Sequence, residues 1–286
     1  MHVLISPNPY RDKKFEYARR VRAVLAECGV SASFCLPFGT ENDVDQTYGI
    51  EFSRMEDVLP KADVYICLGG DGTILHASKV AADYDIPILG INVGTLGFMS
   101  ELDVNHLELL RRLPEQNYTL EERIRLQIDV FSGSKNVYSE HALNDAVVTK
   151  GAIARVLQLS VGIAGKAVTS FTGDGVIIST PTGSTAYSLS AGGPVVEPTA
   201  QVMLITPICA HAFGANCIVT TADRAIDVYI SKSKRRSAFL SADGGRAFRL
   251  ESGDTVRISK SEKRTQFIRM RNVDFFETLQ QKFSNR

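Results

Sequence analysis

The sequence has no net charge, no closely spaced cysteine pair and no apolar run that approaches membrane-spanning length. Lysine and arginine together number 32, and so do aspartate and glutamate, so no global field draws the chain to nucleic acid or to an acidic membrane. Any phosphate must therefore be bound locally. The five cysteines (Cys28, Cys35, Cys67, Cys209, Cys217) are an odd set without Cys-x-x-Cys spacing, most of them in apolar runs, as expected of buried thiols in a reducing compartment. Met1-His2-Val3-Leu4-Ile5-Ser6 is too short for a signal-peptide core and is soon followed by Arg11-Asp12-Lys13-Lys14, so a cytoplasmic protein is expected.

The common nucleotide-binding signatures are also missing. A P-loop needs Gly-x-x-x-x-Gly-Lys-Ser/Thr, and the Gly165-Lys166 pair is followed by Ala167. No Gly-x-Gly-x-x-Gly follows the first apolar run, where Ser6-Pro7-Asn8-Pro9-Tyr10 stands instead. No two histidines have ligand spacing, which leaves a structural metal site unsupported, and neither internal repeats nor low-complexity segments occur.

The 286 residues suffice for a large core, and 44% apolar with 22% charged residues describe an ordinary globular protein, for which two domains are expected. Val3-Leu4-Ile5 reads as a strand; Phe15, Ala18, Val21, Val24, Leu25 and Cys28 then recur at helical spacing up to Gly29. Residues 30–36 read as a second strand, 52–59 as a short helix, 63–68 and 86–91 as further strands, and 104–113 as a helix. This alternation points to a doubly wound, Rossmann-like parallel sheet. After Pro114, Ile124, Leu126, Ile128 and Val130 alternate with Arg123, Arg125, Gln127 and Asp129, the mark of half-buried antiparallel strands. Further strands are expected near 146–149, 156–163, 176–179, 202–208, 226–230, 238–241 and 256–259, with a small helix at 185–190, so this half reads as all-β and β-sandwich-like. Phe275, Phe276, Leu279 and Phe283 mark a final amphipathic helix.

Within that frame, Gly69-Gly70-Asp71-Gly72-Thr73 stands between a strand and a helix. Three glycines let backbone come close to a bulky anion, and free amides at the helix start favour negative charge. Asp71 is the unusual residue: it repels phosphate unless it takes a proton from a hydroxyl or shares a metal with the phosphates, or else the segment is a plain Asp-Gly turn. His76 falls one turn further, near the phosphates or simply half-exposed. A second rich stretch, Thr180-Pro181-Thr182-Gly183-Ser184-Thr185-Ala186-Tyr187-Ser188-Leu189-Ser190, places hydroxyls where a helix begins; they can cap it or bond a ligand, and Tyr187 offers a ring for stacking. Asn144-Asp145 at the mouth of a strand can hold vicinal sugar hydroxyls or form a turn, and Asp174-Gly175 is similar.

Taken in order, Gly69 to Thr73, Gly90-Ile91-Asn92-x-Gly94-x-Leu96-Gly97-Phe98, Leu143-Asn144-Asp145 and Thr180 to Tyr187 resemble the bacterial NAD kinase family over nearly the whole chain. The resemblance implies an α/β domain at 1–117, completed by a returning segment at 270–286, and a β-rich NAD-binding domain at 118–269. It implies transfer of the terminal phosphoryl group of ATP, with Mg²⁺, to the 2′-hydroxyl of the adenosine ribose of NAD, Asp71 serving as base. By the same resemblance Gly69, Gly70, Gly72 and Thr73 face the donor phosphates, Asn144 and Asp145 hold dinucleotide hydroxyls and base edges, and Thr185, Ala186, Tyr187, Ser188 and Ser190 line the adenosine pocket. Arg155 and Asp174 match positions near the nicotinamide half, and a homodimer or homotetramer is implied. Gly245 stands where relatives often place Gln, and Ala210-His211-Ala212-Phe213 replaces a more usual Pro-His segment.

The alternatives are a lipid or sugar kinase sharing the acidic glycine turn, or a non-catalytic dinucleotide sensor. Against the first, no amphipathic basic helix offers itself to a membrane and the tyrosine-bearing motif has no role. Against the second, pure binding gains little from a carboxylate aimed at phosphate.

Overall fold

The computed structural model describes residues 1–37, 44, 46–94, 97–151, 156–211, 216–231, 237–271 and 273–284. The chain opens with β1 (His2–Pro7), α1 (Glu16–Glu27), β2 (Ser31–Phe34), α2 (Met55–Val58), β3 (Val64–Gly69), α3 (Asp71–Ala81), β4 (Ile88–Asn92), β5 (Leu102–Asp103) and a 3-10 turn at Leu107–Arg112. Then come β6 (Thr119–Ser132), β7 (Lys135–Ala142), β8 (Asp145–Lys150), β9 (Leu157–Ile163), β10 (Lys166–Gly173) and β11 (Gly175–Ser179). A 3-10 turn at Thr182–Thr185 leads into α4 (Tyr187–Ser190), followed by β12 (Val202–Ile208), β13 (Ile218–Thr221), β14 (Ile226–Ile230), β15 (Ala238–Ala242), β16 (Phe248–Leu250), β17 (Thr255–Arg269) and α5 (Phe275–Ser284). Two units divide the chain, Met1–Glu122 with Thr265–Arg286, and Arg123–Arg264. No helix among the described residues is long and apolar enough to cross a membrane.

In the first unit, β2, β1, β3 and β4 lie side by side, all parallel. The tail of β17 pairs with β4 at Phe267 and Ile88, also in parallel. One sheet face, with Val3, Ile5, Ile66, Leu68, Leu89 and Ile91, buries Ala18, Val21 and Leu25 of α1. On the other face a Cβ at Gly90 would meet the Ile74 side chain of α3 at 2.5 Å, so that glycine serves close helix–sheet packing. Burial on both faces explains why β3 is apolar along its whole length, as a doubly wound sheet requires. Asp12 sets the start of α1: its carboxylate is buried and accepts from the amides of Tyr17 and Ala18. The strand order reverses beside β1, and the segments after β1 and β3 leave the carboxyl edge of the sheet there, the usual place for a ligand in such folds.

The second unit is a sandwich of antiparallel strands. One layer runs β10-β9-β14-β17 with the β6–β7 hairpin, and the other runs β13-β12-β11-β8-β15-β16. Side chains from both layers, among them Leu126, Ile128, Val148, Leu159, Val176, Ile178, Val228 and Leu240, form a single core.

Four local expectations change. Residues 52–59 give only α2, followed by a 3-10 turn at Leu59–Lys61 that contains Pro60, so the proline continues the turn instead of stopping it. The apolar spacing at 104–113 yields a 3-10 turn. Arg123 and Arg125, polar positions in the β6 alternation, are both buried, and Arg123 donates to Thr182 Oγ1 at 3.1 Å. Strands β7, β10, β13 and β16 appear where no strand was expected.

Candidate active site

The acidic glycine turn forms as a strand, a one-residue cap and a helix. Gly70, in extended conformation, is the N-cap of α3, and Asp71 is its first residue. Thr73 folds back against the end of β3, where a Cβ at Gly69 would lie 2.3 Å from Thr73 Oγ1. Asn8, from the segment after β1, donates Nδ2 to that same hydroxyl at 2.8 Å and its backbone amide to Leu68 O at 2.8 Å. The two loops at the strand-order reversal are thereby joined. Gly72 is exposed, Asp71 half-buried, and His76 exposed one turn along the helix.

Among the described residues, two backbone amides hold Asp71. Its Oδ2 accepts from the Phe98 amide at 2.8 Å and its Oδ1 from the Met99 amide at 3.0 Å. Each carboxylate oxygen has two acceptor directions, and among the described residues each uses one, leaving the other for a ligand hydroxyl. Gly97 makes this approach possible, since a Cβ there would lie 2.0 Å from Asp71 Oδ1. Nearby, Val93 donates its amide to Gly69 O at 3.0 Å, and buried Asn92 has an Oδ1 with no hydrogen-bond partner among the described residues. The Phe98–Met99 segment is itself anchored from the end of the chain. Arg269 donates to Met99 O at 3.3 Å while gripping Glu121 at 2.8 Å, and Phe98 packs against Phe275 and Lys282 of α5.

In the second unit the Asn144-Asp145 turn and the hydroxyl-rich turn before α4 form one block. Thr180 donates its amide to Asn144 O and its hydroxyl to Leu143 O, and a Cβ at Gly183 would lie 2.1 Å from Asn144 O. Asn144 is buried, and its Oδ1 has no hydrogen-bond partner among the described residues. Such an orphaned acceptor fits a ligand N–H or O–H donor. Burial and the neighbouring Asp243 carboxylate push the Asp145 pKa up to about 7. Of the α4 residues, Tyr187 is 46% exposed and Ser190 also exposed, with Thr185 and Ala186 half-buried. Ser188 is instead buried, its hydroxyl 2.9 Å from that of Thr206 of β12, on the sheet face opposite the sandwich core. Asp174 sits at the other end of the β8–β11 pair, ion-paired with Lys150 at 2.7 Å. Arg155 lies outside the described residues.

Sequence reasoning had no grip on Phe98 and Met99 as holders of Asp71, because they act through amides that every residue type carries. Gly97 was the signal. Asp243 was likewise passed over, although Asp243-Gly244 is a strong turn signature.

A parallel α/β unit with a carboxylate in a glycine turn, joined in one chain to a β-sandwich with a hydroxyl-rich helix start, defines a phosphoryl-transfer class of protein. Residues 3–118 match the model of the ATP-NAD kinase N-terminal domain, and residues 143–270 that of the ATP-NAD kinase C-terminal domain. The NAD kinase of Acetivibrio thermocellus is 37% identical over 285 residues, 99% of this chain and 96% of that one. The NAD kinase of Carboxydothermus hydrogenoformans is 39% identical over 82% of this chain and 83% of its own. Among solved structures, an NAD kinase from Archaeoglobus fulgidus in complex with ATP has a TM-score of 0.75 at 25% identity and full coverage of both chains. Yeast NADH kinase complexed with NADH shares the fold, with a TM-score of 0.84 at 24% identity over 99% of this chain and 87% of that one. The chain belongs to the ATP-NAD kinase family and is a kinase that transfers phosphate to a hydroxyl.

Proposed function

We propose that this chain transfers the γ-phosphoryl group of ATP to the 2′-hydroxyl of the adenosine ribose of NAD, with Asp71 as the general base. The observation that carries this is the fixing of both Asp71 oxygens by the Phe98 and Met99 amides at the start of α3. A ribose hydroxyl is a weak nucleophile at neutral pH, and a carboxylate held in one orientation can receive its proton as the new O–P bond forms and ADP leaves. The glycine turn at the start of α3, half-buried at Gly70 and exposed at Gly72, receives the donor phosphates. Asn144, Asp145 and Tyr187 hold the dinucleotide, the orphaned Asn144 Oδ1 accepting from it.

The family implies a divalent cation. Among the described residues no three His, Cys, Asp or Glu side chains gather as a metal cage. A Mg²⁺ ion held on substrate phosphates takes only one or two protein carboxylates and completes its shell with waters. Asp71 is the carboxylate of the turn that would approach it, and the ion would offset charge on the transferring group. Family membership further supports a homodimer or homotetramer.

Incubating the protein with ATP, Mg²⁺ and NAD should yield NADP, and Asp71→Asn should lower kcat by about 10²- to 10⁴-fold, the usual worth of a general base. Absence of NADP with the wild type, or an unchanged rate in the variant, overturns the proposal.

A further inference from the structure

Asp243 lies in the turn between β15 and β16 with φ 51°, followed by Gly244 at φ 66°, and Gly245 closes the turn by donating its amide to Ala242 O at 2.8 Å. Two successive positive φ values describe a type I′ turn, which Asp-Gly suits. What the Asp243 side chain does goes beyond the turn. Its Oδ2 accepts from the Leu143 amide at 2.8 Å, and its Oδ1 accepts from the amides of Asn144 at 2.7 Å and Asp145 at 3.2 Å. In return the Asp243 amide donates to Asp145 O at 3.0 Å. Three consecutive donors thus converge on one carboxylate.

A neutral Asn or Ser could hold part of this turn. An acid there brings a second carboxylate up to Asp145, itself only 5% exposed, which like-charge repulsion opposes. Burial is the larger cause of the raised Asp145 pKa, and the Asp243 charge adds to it. Ser179, opposite Asp145 on β11, does not titrate, and the buried Arg123 of β6 donates to Thr182 Oγ1 among its contacts.

We propose that Asp243 is a positioning residue for the dinucleotide-holding turn: it fixes the Asn144 and Asp145 backbone and, through its charge, makes dinucleotide affinity depend on the release of a proton from the Asp145–Asp243 pair. This rests on the assignment of Asn144 and Asp145 to the dinucleotide. Ribose hydroxyls donate most strongly to an ionised carboxylate. Below neutrality the pair holds a proton that the ligand must displace, and above it the proton is already gone. With midpoint titration at about 7, affinity should rise about tenfold between pH 6 and pH 8.

The test is calorimetric titration of NAD into the full-length protein at pH 6, 7 and 8, alongside steady-state kinetics. Wild type should bind about tenfold more tightly at pH 8 than at pH 6. Asp243→Asn should weaken binding at pH 8 by about tenfold, the equivalent of one charge-assisted hydrogen bond, raise KM for NAD more than it lowers kcat, and move the pH inflection downward. Asp145→Asn leaves the amide cradle in place and should abolish the pH dependence, which keeps the test decisive should Asp243→Asn fail to fold. A flat wild-type profile, an Asp145→Asn protein with the wild-type slope, or a folded Asp243→Asn protein with wild-type affinity and inflection overturns the inference. A wild type that neither binds NAD nor makes NADP overturns the functional assignment instead.

Discussion

Replacing Gly97 with Ala isolates the orientation of Asp71 from its chemistry. Gly97 has no positive φ, so its backbone accepts alanine without strain. The added methyl, however, would sit 2.0 Å from Asp71 Oδ1 and 2.8 Å from its Cγ. Real carbon–oxygen contacts rarely fall below about 3 Å, so the carboxylate must retreat by roughly 1 Å or rotate to another rotamer. Either movement takes Oδ1 from the Met99 amide and Oδ2 from the Phe98 amide, bonds that now measure 3.0 and 2.8 Å.

Each hydrogen bond to a charged group contributes about 1.5–3 kcal/mol, and water recovers part of that at a half-buried site, so a local loss of about 2–3 kcal/mol is expected. The larger effect is on rate. A misplacement of about 1 Å in a reacting group costs about 10²-fold, and Gly97→Ala should therefore lower kcat for NADP formation by about that factor. Its KM for NAD should move by less than about threefold, because the dinucleotide is assigned to Asn144, Asp145 and Tyr187. The assay is initial-rate NADP formation at saturating ATP and NAD, with a thermal melt to show that the variant is folded. A folded Gly97→Ala protein with kcat within about threefold of wild type would refute the claim that Asp71 works from its amide-held position.

Gly72→Ala should separate ligand approach from folding: among the described residues nothing beyond its own helix backbone and chain neighbours lies within 4 Å of the added methyl, so the free protein should gain up to about 1 kcal/mol from helix propensity while KM for ATP rises about tenfold. A thermal melt paired with ATP titration measures both, and an unchanged ATP response would remove that face of the turn from the phosphates. Arg269→Met should destabilise the first unit by about 2–3 kcal/mol, because it leaves Glu121 and the buried Glu101 without their shared guanidinium and frees the Met99 carbonyl. Urea denaturation reads the loss, kcat should fall severalfold with it, and a midpoint matching wild type would show that the cluster is incidental.

Much of the fold could be read from local pattern. Apolar runs ended by glycine or proline located β1, β3, β4, β8, β11 and β12, since each is buried along most of its length. Strands β7 and β10 escaped notice because their burial is confined to their far ends and their sequences are largely polar. The turns ahead of them were visible in Gly133 and Gly165, both with positive φ, but a turn does not reveal that a solvent-facing strand follows. Arg123 and Arg125 misled for the opposite reason. Alternation assigns the charged face to water, whereas β6 buries four consecutive residues and gives Arg123 a hydroxyl partner 59 positions away.

The site divides along the same line. Residue types that announce chemistry, Asp71, Asn144, Asp145 and Tyr187, were legible because few other roles need them in those settings. The groups that orient them were not: two backbone amides hold Asp71, from residues 27 and 28 positions on, and the Asp243 carboxylate, nearly 100 positions away, gathers the amides of Leu143, Asn144 and Asp145. An amide has no residue identity. Its trace in sequence is the glycine that lets a neighbouring group come near, Gly97 against Asp71 and Gly183 against the Asn144 carbonyl, neither with positive φ. Glycines required by a turn conformation and glycines required by close approach look alike in a sequence, yet an added methyl strains the backbone in the first kind and displaces a functional group in the second. In this chain the second kind sits against the proposed base and against the proposed dinucleotide turn, so the catalytic geometry is encoded as much by absent side chains as by the carboxylates that draw the eye.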